Sequence, residues 1–435
     1  MKSRVMLAAA CAVTLVYACL AYHLDLDVYR IGGRIWLAGG NLYGPLPATA
    51  QGVRMPFTYP PLAAIVLSPL SLIPTAAAGI VMDLGIVAVL ALALRPFLRR
   101  LGWELGWVLP AALLLEPVRG NLAYGQVDVF LMALVIADCL TGSPRWPRGA
   151  LAGLAAALKL TPALFILFFL LRRDYRAAAT MAASFAAASG LGFLLAPADS
   201  ARYWTSTWFD VGRIGQAQNP ANQSVFGVLA RAGLHPGTMP FIYVWLAIAL
   251  TVIVAACVGM RQALAVGDDH LALVLNAFAI LLVSPISWSH HWVWALPALL
   301  CLAISARRLA VAGLVLFAVG PQCWLPHSGN SEVNWAPWQQ ILGDSYVLCA
   351  VTVIAWFAYR ALAANVRLSR RLAAQPCPDV PSLVHAAGDA AAIASRSRTY
   401  PAYSATSPHV TATEPGLPSL TLRLPAPLGR RPPAA

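Results

Sequence analysis

Residues 75–95 read TAAAGIVMDLGIVAVLALALR, a run in which Asp83 is the one charge before the closing Arg95. A helix of about 20 such residues spans a bilayer core of about 30 Å. Comparable apolar blocks recur at 5–22, 61–73, 104–117, 127–141, 149–172, 176–196, 240–260, 270–285, 291–306, 309–322 and 345–363. Of the 435 residues 59% are hydrophobic and 11% charged, and the mean hydropathy is +0.69. A soluble domain carries about 25% charged residues, so this chain cannot cover itself with a water-compatible surface. The pattern predicts an all-α polytopic membrane protein, and the blocks leave no room for a separate globular enzyme.

The net charge of +13 comes almost entirely from arginine, since Lys2 and Lys159 are the only lysines. Basic residues between apolar blocks mark cytoplasmic loops, which accounts for the excess without nucleic acid as a partner. By that rule Lys2/Arg4, Arg95/Arg99/Arg100, Arg145/Arg148, Arg172/Arg173/Arg176, Arg261, Arg307/Arg308 and Arg360/Arg367/Arg370/Arg371 lie inside. Segments 23–60, 117–126, 197–239, 286–290 and 323–344 then lie outside, along with several further arginines. The first block reads as an uncleaved signal anchor. Pro74 and Pro162 interrupt their blocks, so 61–73 reads as a partial or re-entrant segment and 149–172 as a broken hairpin. About 11 to 13 transmembrane or re-entrant helices result. Residues 1–365 form the membrane domain, and 366–435, rich in Ala, Pro and Ser, read as a disordered cytoplasmic tail. Eight scattered cysteines without C-x-x-C spacing imply neither a disulfide framework nor a zinc site.

The outward segments hold most of the chemistry. Asp25 and Asp27 follow the first block directly; on a strand they share a face and on a helix they diverge. Such a pair can serve as a base, as a divalent-metal site or as a solvated helix end. Residues 116–128, EPVRGNLAYGQVD, crowd Glu116, Arg119, Asn121, Gln126 and Asp128 between two apolar blocks, which suits a sugar or phosphate as well as an ordinary polar loop. Lys159 sits inside a broken apolar block and requires an anion there, either an internal acid such as Asp128 or Asp83, or a phosphate ligand. His290 and His291 stand among tryptophans in SPISWSHHWVW (284–294). Adjacent histidines lack the one-turn spacing of a helical metal pair, so proton handling or phosphate hydrogen bonding is the preferred role beside a structural one. No G-x-x-x-x-G-K-[ST] sequence or Gly-rich strand-to-helix fingerprint for a nucleotide is present.

Taken in order, DLDVY (25–29), LYG (42–44), PFTYPPLAA (56–64), EPVRGNLAYGQVD (116–128), ALKLTPA (157–163), NQSVFG (222–227) and SPISWSHHWVW (284–294) resemble the actinobacterial polyprenyl-phosphate-mannose-dependent α-1,2-mannosyltransferases. The resemblance covers about residues 20–365. DLDVY, RWPRG (145–149) and FLLRRD (169–174) look closer to the lipomannan-branching member than to the member that elongates phosphatidylinositol mannosides. It implies a GT-C-type helical bundle with periplasmic loops in the plasma membrane. It also implies a polyprenyl-phosphate mannose donor, a lipid-linked mannoside acceptor of the lipomannan or lipoarabinomannan assembly, and inverting transfer. Asp25 matches the family's candidate base. Lys159, His290, His291, Arg119 and Gln126 become candidates for holding the donor, and Tyr59, Asn222 and Gln223 for the acceptor or cavity loop. Asp27 occupies a position that need not be acidic in the family and is a possible second acid. No cofactor is required, and a divalent metal stays open. A secondary transporter, a lipid-binding scaffold and a related arabinosyltransferase are the competing readings.

Overall fold

The computed structural model describes residues 2–374. Its helices are α1 (Lys2–Leu20), α2 (Leu24–Leu37), α3 (Pro61–Leu67), α4 (Thr75–Leu101), α5 (Leu105–Ala112), α6 (Glu116–Tyr124), α7 (Asp128–Leu140), α8 (Ala150–Leu158), α9 (Ile166–Leu171) and α10 (Tyr175–Leu195). They continue as α11 (Pro197–Thr205), α12 (Val225–Arg231), α13 (Met239–Ala265), α14 (Asp269–Val283), α15 (Ala295–Ser305), α16 (Arg307–Val319), α17 (Pro337–Gly343) and α18 (Ser345–Ala374). Among the described residues the only β pairing is an isolated bridge between Asn222 and Trp288. The protein is an all-α polytopic membrane protein.

Local sequence sets the limits of these helices. α4 begins after Pro74 and stops at Gly102, whose φ of +68° ends the helix with Arg99 and Arg100 in its last turn. Asp174 and Asp268 cap α10 and α14 by accepting from the backbone N–H groups of Ala177 and Leu271. α18 runs past residue 365 to Ala374. The expected tail lies, from residue 375 onward, outside the described residues.

Four described helices are long and apolar enough to cross a membrane: α4, α10, α13 and the Ser345–Arg367 part of α18. Other apolar blocks are broken at polar or glycine positions. α6 and α7 meet at a 119° bend, made by Gly125 at φ +67°. Block 61–73 forms only α3 and a 3-10 turn to Ser71, about 18 Å of rise at roughly 1.5 Å per α-helical and 2.0 Å per 3-10 residue. Block 149–172 breaks at Lys159, whose backbone is extended (φ −148°, ψ 125°). Backbone can leave the helix at membrane depth only where protein or a polar cavity satisfies it, so these breaks point to the interior site.

One end of the bundle gathers several of the basic residues assigned above to one side. Arg100 pairs with Asp268, and Arg172 with Asp269 at 2.5 Å. Ser3 bonds Glu104 just beyond the end of α4. The start of α1, the ends of α4 and α9 and the start of α14 therefore share one end.

α8 and α10 pack backbone against backbone. A Cβ on Gly149 would collide with the Ala177 carbonyl oxygen, and one on Gly153 with that of Met181. The Ser184 hydroxyl donates to the Ala150 carbonyl at 2.7 Å across the same seam. Small residues four apart permit this approach between membrane helices, where packing rather than hydrophobic burial drives association. Gly153→Leu should therefore lower stability by roughly 1–3 kcal/mol or more, the cost of overpacking; thermal melting of the detergent-solubilised protein measures it.

Candidate active site

α2 is held down before it can present anything. Gly32 and Gly33 let it lie against Phe57 and Ser68, where a Cβ would come within 2.7 Å of the Phe57 ring and 2.8 Å of the Ser68 Cα. The buried Arg30 guanidinium donates to the carbonyls of Leu70 (3.0 Å) and Ile73 (2.8 Å) and to the Thr75 hydroxyl. These carbonyls end a 3-10 turn and would otherwise lack partners. α2, α3 and the start of α4 are thereby locked together.

On this helix Asp25 and Asp27 diverge. Asp27 Oδ2 accepts from the Tyr22 hydroxyl and the Ala50 N–H, both at 2.9 Å, and Oδ1 lies 3.8 Å from Arg30. That carboxylate is committed to holding the loop. Asp25 Oδ2 accepts one bond, from Gln126 Nε2 at 2.5 Å, and its other oxygen makes no hydrogen bond among the described residues. The two carboxylates therefore offer no shared metal site. Burial pushes the Asp25 carboxyl up to about 6, against the lowering influence of the Gln126 bond and the Lys159 charge.

The bend at Gly125 brings Gln126 and Asp128 to Asp25, because a Cβ at residue 125 would meet Leu26 and His23 at 2.8 and 3.0 Å. The break at Lys159 sends its ammonium to the same place. Lys159 Nζ lies 2.6 Å from Asp128 Oδ1, 3.0 Å from His291 Nε2 and 5.5 Å from the centre of the Tyr59 ring. Of the two acids expected as partners, Asp128 is the one used. Asp83 instead faces His23 at 3.0 Å.

The histidines sit on a 3-10 turn, Ser289–Trp294, with their rings edge to face at 4.8 Å. α6 fixes this turn. Asn121 donates to the His290 carbonyl at 2.6 Å, Ser289 donates to Glu116 at 2.8 Å, and Gly120 leaves just enough room for the His290 Cβ. His290 Nε2 and Asp128 Oδ2 are buried without a partner. Ligand atoms of Asp128, His290 and His291 lie within 4.8 Å of one another. Lys159 bonds two of these three residues through Asp128 Oδ1 and His291 Nε2, which leaves Asp128 Oδ2 and His290 Nε2 as the partnerless atoms of the group.

The structure thus brings Asp25, Gln126, Tyr59, Lys159, His290 and His291 together. It does not bring Arg119, Asn222 or Gln223 to the cluster. Arg119 is exposed and donates to the Ala318 carbonyl at 3.0 Å. Asn222 and Gln223 are fully buried and spend their amides on backbone: Asn222 on Ala217, Pro285 and Ser287, Gln223 on Pro220, Gly343 and Tyr346. They brace the strand-like segment leading to the histidine turn. Tyr29, the last residue of DLDVY, joins the cluster as well: it lies four residues after Asp25 on the same helix face, a signal available once 24–37 is read as helix.

A family model, glycosyltransferase family 87, matches residues 57–285. The chain belongs to glycosyltransferase family 87. It is 42% identical over 361 residues to a polyprenol-phosphate-mannose-dependent α-(1-2)-phosphatidylinositol mannoside mannosyltransferase of Mycobacterium tuberculosis, covering 77% of this chain and 84% of that one. A protein of the same name from Mycolicibacterium smegmatis is 42% identical over 369 residues, covering 77% and 83%. A polyprenol-phosphate-mannose-dependent α-(1-2)-phosphatidylinositol pentamannoside mannosyltransferase of that organism is 33% identical over 361 residues, covering 78% and 86%. No solved structure gives a significant match. Family membership decides for a glycosyltransferase over a transporter or a scaffold.

The Lys159–Asp128 pair is largely buried, with side chains 12% and 9% exposed. Lys159→Met strands the acid and should cost about 3–5 kcal/mol. Adding Asp128→Leu should return most of that stability without restoring transfer, and melting temperatures of the single and double variants check it.

Proposed function

We propose that this glycosyltransferase is an inverting α-1,2-mannosyltransferase. It takes mannose from a polyprenyl-phosphate mannose and delivers it to a lipid-linked mannoside, of the phosphatidylinositol mannoside or lipomannan kind. The observation that carries the reading is the convergence of a carboxylate with one uncommitted oxygen, Asp25, on a hydrogen-bonding set, Lys159 in its pair with Asp128, together with His290 and His291. The names of the relatives supply the sugar, the activated lipid and the linkage.

The chemistry follows from the charges. A hydroxyl is a poor nucleophile, so Asp25 takes the acceptor proton as the acceptor oxygen bonds the anomeric carbon. The bond from that carbon to the phosphate oxygen breaks, and its electron pair leaves with polyprenyl phosphate. Attack opposite a β-linked phosphate yields an α product. The charge growing on the phosphate is met by Lys159 and by the partnerless Nε2 of His290, donors fixed in advance in a water-poor site. No nucleophilic residue and no cofactor is needed for a single displacement on an already activated donor.

Transfer from polyprenyl-phosphate mannose to a synthetic mannoside by the purified protein, with linkage analysis, tests the reading. An α-1,2 product is expected, and no transfer or another linkage would overturn it. Asp25→Asn should lower turnover by at least about 10²-fold in a folded protein. Because Asp25 must be ionised to accept a proton, and burial holds it up at about 6, kcat/KM should fall as pH drops through 6.

The site faces the periplasm in this reading, since the basic residues gathered at the other end of the bundle belong in the cytoplasm of a plasma-membrane protein. With the exposed native Cys323 replaced by Ser, Asn41→Cys and Gln216→Cys, at exposed positions, should react with an impermeant thiol reagent in intact spheroplasts. Reaction only after permeabilisation would invert the topology.

A further inference from the structure

Gln126 is enclosed, 3% exposed, and both ends of its amide are used. Its Nε2 donates to Asp25 Oδ2 at 2.5 Å, and its Oε1 accepts from the Tyr29 hydroxyl at 2.7 Å and, more weakly, from the Tyr59 hydroxyl at 3.4 Å. Tyr29 is 1% exposed, and its ring meets that of Tyr59 edge to face at 5.3 Å. The two phenol oxygens are 2.9 Å apart. A phenol carries one proton, and Tyr29 gives its own to Gln126, so Tyr59 is the donor between the two phenols. The bonds therefore run one way, from Tyr59 to Tyr29 to Gln126 to Asp25.

An amide can be turned end for end, and here the two orientations suit different states of Asp25. With Nε2 toward Asp25, the amide donates to a carboxylate. Reversed, its oxygen faces the carboxyl, and only a protonated Asp25 can then form a bond. The phenols decide between them: with the amide oxygen on their side the Tyr29 and Tyr59 protons both find acceptors, whereas in the reversed orientation Tyr29 can only accept from Nε2 and one of the two phenol protons is left without an acceptor among these groups.

We propose that Tyr29 and Gln126 are positioning residues for the transfer: the phenol locks the amide so that it stabilises ionised Asp25 and pins Oδ2, leaving Oδ1 to receive the acceptor proton. This rests on the reading of Asp25 as the base. The groups facing Asp25 are Gln126 and Asp128 at the α6–α7 bend, Lys159 after α8, Tyr29 on α2, Tyr59 in the following loop and Tyr124 at the end of α6. Of these, only Gln126 donates to Asp25 directly. Tyr29 is thus the residue whose removal changes the orientation of that donor while leaving the charges of Lys159 and Asp128 in place.

The test is the pH dependence of kcat/KM for mannosyl transfer in the full-length protein and in Tyr29→Phe, Gln126→Met and Asp25→Asn. Tyr29→Phe deletes one oxygen, and Gln126→Met keeps the length while removing the donor, which covers a folding failure of the first variant. The acid limb should move up by about one unit in each, so that transfer at pH 6 falls about fivefold and most of the loss is recovered above pH 8. A loss by the same factor at every pH, or an unmoved limb, would return Tyr29 and Gln126 to packing. Near-normal turnover in Asp25→Asn is a separate failure, since it removes the base reading itself whatever the two positioning variants do.

Discussion

The Lys159 ammonium is the constraint around which the interior is arranged. A charged amine taken out of water costs several kcal/mol unless it is paired, and this one, largely buried, has an acid at 2.6 Å and an imidazole at 3.0 Å. Supplying those partners requires three departures from helical geometry. α8 stops at Leu158, the α6–α7 pair bends by 119° at Gly125, and α15 is preceded by a 3-10 turn. Each departure would be unfavourable in lipid; here each is enclosed by protein, with its polar groups turned inward.

A second set of contacts keeps the cluster in register from outside. Arg30 ties α2 to the 68–75 segment, Glu116 and Asn121 tie α6 to the histidine turn, and Asn222 and Gln223 tie the loop before α12 to residues 285–287 and to α18. Arg231, fully buried, joins Asp344 and the Asn222 carbonyl. Residues that look like ligand contacts in the sequence are in several cases the braces of the residues that make the cluster.

The membrane class, the long spans and the broken blocks at 61–73 and 149–172 were all legible in the sequence, because apolar length and interrupting proline are local signals. Lys159 was legible too, as a lone lysine in an apolar block demands an anion. The choice of Asp128 over Asp83 was not, since it depends on a bend made by Gly125 and on His23 engaging Asp83. Nor could spacing separate Asp25 from Asp27 until the segment's conformation was known. Asn222 and Gln223 carry polar side chains in a quoted motif, and only burial reveals that backbone has consumed them.

The helical form of residues 24–37 also limits how this region can vary. Each residue advances a helix by about 100°, and a single turn separates Asp25, directed at Gln126, from Tyr29, directed at the same amide. Arg30, one position on, reaches the opposite anchor at Leu70 and Ile73. Exchanging one of these side chains removes that residue's own contacts and leaves the phase of the others, whereas one residue inserted between 25 and 30 turns the carboxylate and the anchor out of phase together. The segment is therefore constrained in length as well as in sequence.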